Sequence, residues 1–292
     1  MAMMYSKKHL SETEYIQVAK DYYAHRDEWL SMTNESQHLD MCACVSKRRK
    51  QLMFTGQSSC AVQSIPRLDP FEIRPHCIGE SRRKTNDIII WNFGKPDPHA
   101  KMVNGLLVTG PIRTICDLAK FDSTESLLVA INYCLFEKLF SKEQLAKVLN
   151  QHPRMKRKCL LERLIKLATP KCESPLETMA WIALYKAGFV MPQQQINIYG
   201  KFGKREFIGR VDMYWKLRSR EIVLELDGNI KYTDRNILIE EKKREDKLRE
   251  SGLEVIRADW RDVANGRLIE MLLRRKIPLR RNRNRQFPSK NK

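Results

Sequence analysis

Residues 221–227 read EIVLELD. Ile222, Leu224 and Leu226 alternate with the period of two that a half-buried β-strand requires. The same period turns Glu225 and Asp227 to one face, roughly 6.5–7 Å apart along the strand. Two like charges on a rigid strand constrain the fold, because something must compensate them. The neighbouring pattern narrows the choice further. "SPLETMAWIALYKAGF" begins with Ser174 as a cap, Pro175 in the first helical position and Glu177 in the third, and Gly188 stops it. This is a capping-box helix start. Strands follow around Gln195–Tyr199, at "GRVDMYW" and at 221–227. "NILIEEKKREDKLRESG" is then a helix closing at Gly252, "LEVIRAD" a strand and "RDVANGRLIEMLLRRKI" a final amphipathic helix. The order α-β-β-β-α-β-α, a three-strand meander and then a crossover to a fourth strand, implies a mixed sheet with helices on its faces.

In "GRVDMYW" the alternation sets Val211, Met213 and Trp215 on one face and Asp212 and Tyr214 on the other. A short turn, "KLRSRE", joins this strand to 221–227, so a hairpin brings Asp212 beside Glu225 and Asp227. Three converging carboxylates repel unless they are protonated, neutralised by Lys or Arg, or bridged by a hard divalent cation. Carboxylate oxygens are the donors Mg²⁺ or Mn²⁺ prefer. Lys231 lies just past the strand. In the next helix Lys242, Asp246 and Arg249 share a face by their spacing. Acids, a metal and a lysine match the needs of phosphodiester hydrolysis. A set of structural salt bridges to a basic helix would use the same residues.

Charge points the same way. The 292 residues carry 54 Lys plus Arg against 35 Asp plus Glu, a net +19 with a pI near 9.7. Such a chain suits a polyanion, nucleic acid before an acidic membrane surface. The end, "RRKIPLRRNRNRQFPSKNK", is basic without an acid, as are arms that hold nucleic-acid backbone. The eight cysteines form no CxxC pair and lack zinc spacing, which fits a reduced, cytoplasmic chain. The longest apolar run, around "SLLVAINYCLF", is too short to span a bilayer, and no signal-peptide core is expected at the start.

Further upstream, "SETEYIQVAKDYYAHRDEWLSM" (11–32) is expected as one helix with Tyr15, Val18, Ala19, Tyr22 and Tyr23 on a face. Lys47–Lys50 form a basic run. "GQSSCAVQSI" reads as a helix, "DIIIWNF" and "GLLVTG" as short strands. Helices follow at "PIRTICDLAKF", "STESLLVAINYCLFEKLF" and "SKEQLAKVLN", and a basic linker in "QHPRMKRKCLLERLIKLATP" runs into another.

The motifs from about 172 to 275 resemble the very-short-patch-repair-endonuclease-like domain family of the PD-(D/E)XK nuclease superfamily. The resemblance implies an α/β nuclease core with active-site acids at Asp212, Glu225 and Asp227 and a supporting acid at Glu177. It also implies Mg²⁺ or Mn²⁺ as cofactor and DNA as partner. Two departures stand out. The superfamily pattern has Lys where this chain has Asp227, so Lys231 or Lys242 would supply the charge from elsewhere. No histidine falls beyond His152, and Lys231 stands where many relatives have His. "TGQSSCAVQSIP" and "LLVTGPIRTICDLAKF" resemble an AbiEi-type antitoxin domain, which implies DNA binding or transcriptional autoregulation, with a cognate toxin as a further partner. Relatives often start with a winged helix, which would make residues 1–50 a degenerate remnant of one.

The expected organisation is thus a helical N-terminal segment (1–50), an antitoxin-like α+β domain (51–170), a nuclease-like α/β domain (171–276) and a basic tail (277–292). The expected function is metal-dependent DNA endonuclease in a defence, repair or mobile-element setting. The alternative is a non-catalytic DNA-binding regulator or antitoxin on the same scaffold.

Overall fold

A computed structural model describes residues 13–49, 52–79, 83–84, 88–91, 97–200, 206–228 and 235–280. The architecture is mixed α/β, and the chain divides into two compact units, Met1–Pro170 and Lys171–Lys292.

The helix expected over 11–32 is a hairpin of β1 (Tyr15–Ala19) and β2 (Tyr22–His25), followed by the short α1 (Arg26–Ser31). Asp21 makes the turn at φ 65°, a conformation Asp tolerates better than most residues. The aromatic and β-branched residues that could share a helix face are equally good strand formers. Pairing Tyr15 with His25 and Ile16 with Ala24 lets Ala19 and Ala24 pack with Trp29 and Met41. Among the described residues before 50, the helices are α1 and α2 (Asn34–Arg48), whose last turn carries Lys47 and Arg48.

A six-stranded sheet follows. It is built from β3 (Met53–Phe54), β4 (His76–Ile78), β5 (Arg83–Lys84), β6 (Ile89–Trp91), β7 (Lys101–Val103) and β8 (Leu106–Val108), in the order β5-β6-β4-β3-β8-β7. Five helices complete the unit: α3 (Gly56–Val62), α4 (Pro111–Leu118), α5 (Thr124–Phe136), α6 (Lys142–Gln151) and α7 (Lys158–Leu167). Ser123 and Ser141 cap α5 and α6, and Ser141 with Gln144 forms a full capping box. Cys42, Val45, Phe54, Val62, Cys77 and Val108 form a core. Of the eight free cysteines, seven are buried and Cys159 is exposed.

The second unit holds α8 (Pro175–Ala187), β9 (Gln193–Tyr199), β10 (Phe207–Lys216), β11 (Glu221–Leu226), α9 (Arg235–Glu250), β12 (Leu253–Ala258), α10 (Trp260–Ala264) and α11 (Arg267–Arg274). The sheet order is β12-β11-β10-β9: an antiparallel meander, with β12 added parallel to β11 after the α9 crossover. The final helix expected from the sequence is two, broken where Gly266 takes φ 76°. One sheet face packs Met213, Trp215, Ile222, Leu224 and Ile256 against Leu176, Ala180 and Leu184 of α8 and Leu268 and Leu272 of α11. The other packs Ile198, Val211, Tyr214, Val223 and Val255 with Leu248 of α9. Val211 thus lies apart from Met213 and Trp215, and the alternation read from the sequence breaks at Asp212. Among the described residues no helix is long and apolar enough to cross a membrane.

Candidate active site

The acids gather where the start of α8 meets the middle of the sheet. Ser174 caps α8, its Oγ accepting from Glu177 N at 3.1 Å. The expected capping box is only half made. Glu177 Oε2 accepts from Glu173 N at 3.1 Å, one residue upstream of the cap, and from Gln195 Nε2 at 3.0 Å. Glu177 is buried, and burial pushes its carboxyl up to about 6, with the neighbouring Asp212 charge adding to the shift.

Asp212 projects from β10. Its Oδ2 accepts from Leu226 N at 2.9 Å, and its Oδ1 lies 3.5 Å from Gln195 Nε2. The ladder between β10 and β11 ends at Met213–Leu224, one residue short of both acids, and the Asp212 charge acts on Glu225. Burial raises the Asp212 carboxyl, and hydrogen bonds from Leu226 and Gln195 oppose the shift. Glu225 is 7% exposed, and burial drives it up to about 7. Arg244 works against that shift, and the Asp212 charge works with it. The cause in each case is the cost of an ionised group out of water.

Arg244 reaches this pair from α9. Its Nη2 donates to Glu225 Oε1 at 3.0 Å. It gets there by lying across Gly209 of β10, where a Cβ would stand 2.9 Å from its Nη1 and 3.2 Å from its Cδ. Glycine is needed here for close approach, not for backbone freedom. The inward side of α9 carries Glu241, Arg244, Glu245 and Leu248. The expected Lys242–Asp246–Arg249 face is the exposed one. Lys242 therefore points away from the acids. Lys231 lies outside the described residues.

Asp227 does not join the other two acids. Both its oxygens are taken by Arg257, which donates from Nε at 2.7 Å and Nη2 at 2.8 Å. Arg257 Nη1 also donates to Glu245 Oε2 at 3.1 Å. Arg257 pairs in register with Glu225 on the parallel strand β12, so its guanidinium stands over the same sheet face.

The structure thus brings together Asp212, Glu225 and, through Gln195, Glu177. A divalent-cation site using all three expected ligands is not formed: among the described residues there is no group of three His, Cys, Asp or Glu side chains able to hold a metal ion. The Asp212–Glu225 pair alone does fit Mg²⁺ or Mn²⁺ in its chemistry. It offers hard oxygen donors, crowded enough that burial raises both carboxyls, and Mg²⁺ commonly takes one or two carboxylates and keeps several waters. The sequence reading missed Arg244, Gln195 and Gly209. Arg244 was one of several cations in "EEKKREDKLRE", and only the helical phase set by Leu248 distinguishes it. No family model matches this chain, and a search of curated proteins finds no matching relative.

Proposed function

We propose that the second unit is a metal-dependent DNA endonuclease of the PD-(D/E)XK type. The carrying observation is the Asp212–Glu225 pair, a half-buried and a buried carboxylate, both with raised proton affinity, with Arg244 donating to Glu225. Asp212 and Glu225 would hold the cation, which would supply a hydroxide near neutral pH and offset charge on the phosphate. Glu177, with its carboxyl up to about 6, would hold or pass a proton. Arg244 supplies the positive charge that the superfamily pattern draws from a lysine, delivered from a helix instead of the strand. The basic excess of the chain suits the DNA backbone. The test is plasmid cleavage with Mg²⁺ or Mn²⁺ by the wild type and by Asp212→Ala and Glu225→Ala. Loss of cleavage in both variants is expected, and equal cleavage in either would sink the assignment.

A second reading rests on the Asp227–Arg257 pair, which closes the position where the pattern has its lysine. A regulator or antitoxin that keeps the scaffold and binds DNA without cutting it would need no cation there. It would bind DNA with the same affinity in EDTA as in Mg²⁺ and leave plasmid intact. A cognate toxin would be its protein partner.

A further inference from the structure

Gln195 carries an unusual backbone. It lies inside β9 yet takes φ 54°. The other non-glycine residues with positive φ among those described (Asp21, Ser64, Asn104, Lys138, Arg157 and Lys276) all sit outside strands and helices. A left-handed residue in mid-strand is costly for any side chain with a Cβ, and it persists only where the surroundings enforce it. The β9–β10 ladder shows the effect. Ile196 pairs with Val211 and Gln194 with Met213, while the step between them, Gln195 against Asp212, is skipped. At the same step Val211 and Met213 part to opposite sheet faces.

We infer that Gln195 is a positioning residue for the acid pair. Its left-handed backbone turns one side-chain amide between Glu177 and Asp212 and so fixes the Asp212 carboxylate beside Glu225. The amide nitrogen must be the atom facing them, because Glu177 Oε2 at 3.0 Å and Asp212 Oδ1 at 3.5 Å both need a donor. An NH₂ group has two hydrogens and no net charge. It can therefore tie two repelling carboxylates together without neutralising either, as a lysine would. Gln194, one residue earlier, is buried on its own partner, donating to Cys172 Sγ at 3.1 Å.

This inference rests on Asp212 and Glu225 holding a divalent cation. The test is Mn²⁺ titration calorimetry on the full chain, with thermal midpoints, for wild type, Gln195→Gly and Gln195→Ala. Both variants should bind Mn²⁺ about 10–100-fold more weakly, as loss of a residue supporting a metal ligand does. The Gly variant should melt higher than the Ala variant, the reverse of the ordinary order within a strand. A residue of purely structural importance would lower the midpoint and leave Mn²⁺ affinity unchanged. If wild type binds Mn²⁺ and both variants bind it equally well, the positioning role is overturned and the site stands. If wild type binds none, the site reading fails and takes this role with it. An Ala variant as stable as the Gly variant overturns the backbone argument.

Discussion

Replacing Glu225 with glutamine should stabilise the protein above neutral pH. The Glu225 carboxyl ordinarily titrates at 4.5, and burial pushes it up to about 7. Each tenfold change in proton affinity is worth about 1.4 kcal/mol, so ionised Glu225 is roughly 3 kcal/mol worse off folded than unfolded. The sign follows from proton counts. Between 4.5 and about 7 the folded state holds the Glu225 proton and the unfolded chain has lost it, so stability falls as pH rises through this window. It is fully present below 4.5 and levels off above 7. Glutamine has no proton to lose and escapes the fall. The bond from Arg244 is already within that shift, since its charge opposes the rise. The net gain at pH 8 is roughly 3 kcal/mol, or a rise on the order of 10 °C in thermal midpoint. Circular-dichroism melts of both proteins from pH 4 to 8 measure it. The gap should be near zero or slightly negative at pH 4 and should open through the window. A gap that is constant with pH, or a wild type more stable at pH 8, would refute the reasoning.

Other consequences can be checked in parallel. Gly209→Ala places a methyl 2.9 Å from Arg244 Nη1. It should displace the guanidinium and lower DNA cleavage at least tenfold while costing only about 1 kcal/mol in urea melts. Arg257→Leu leaves Asp227 and Glu245 facing each other without their shared cation and should destabilise by about 1–2 kcal/mol. Asp227→Asn should recover part of that loss in a double-mutant cycle. Deleting residues 281–292 removes Arg281, Arg283, Arg285, Lys290 and Lys292. It should flatten the log–log salt dependence of DNA binding by at most about 4.5, as read by fluorescence anisotropy.

The second unit was legible because its signals agreed across scales. Ser174 and Pro175 marked a helix start, Gly188 and Gly252 marked stops, and the period-two runs marked strands whose connection lengths allowed only a meander and one crossover. The hairpin at residues 15–25 was not legible, because Tyr, Ile and Val at those spacings satisfy a helix face and a strand face alike, and the deciding turn at Asp21 lacks a glycine. Within the site, the nearness of Asp212 to Glu225 followed from the short hairpin, although the alternation itself breaks at Asp212. Asp227 misled, because a shared strand face does not imply a shared partner. A cation on the neighbouring strand, Arg257, claimed it first. Arg244 and Gln195 could not be found by spacing, since one depends on the rotation of a helix and the other on a backbone angle that nothing in "PQQQIN" announces.

The thiols described with the fold have a practical side. Seven of the eight cysteines are buried, and Cys159 alone is exposed. Burial also pushes Cys77, Cys116 and Cys134 up to about 12, which keeps them protonated and poor nucleophiles. The native sequence is therefore already a single-handle protein for maleimide chemistry. A dye placed on Cys159 would sit in the first unit and would need no engineered cysteine.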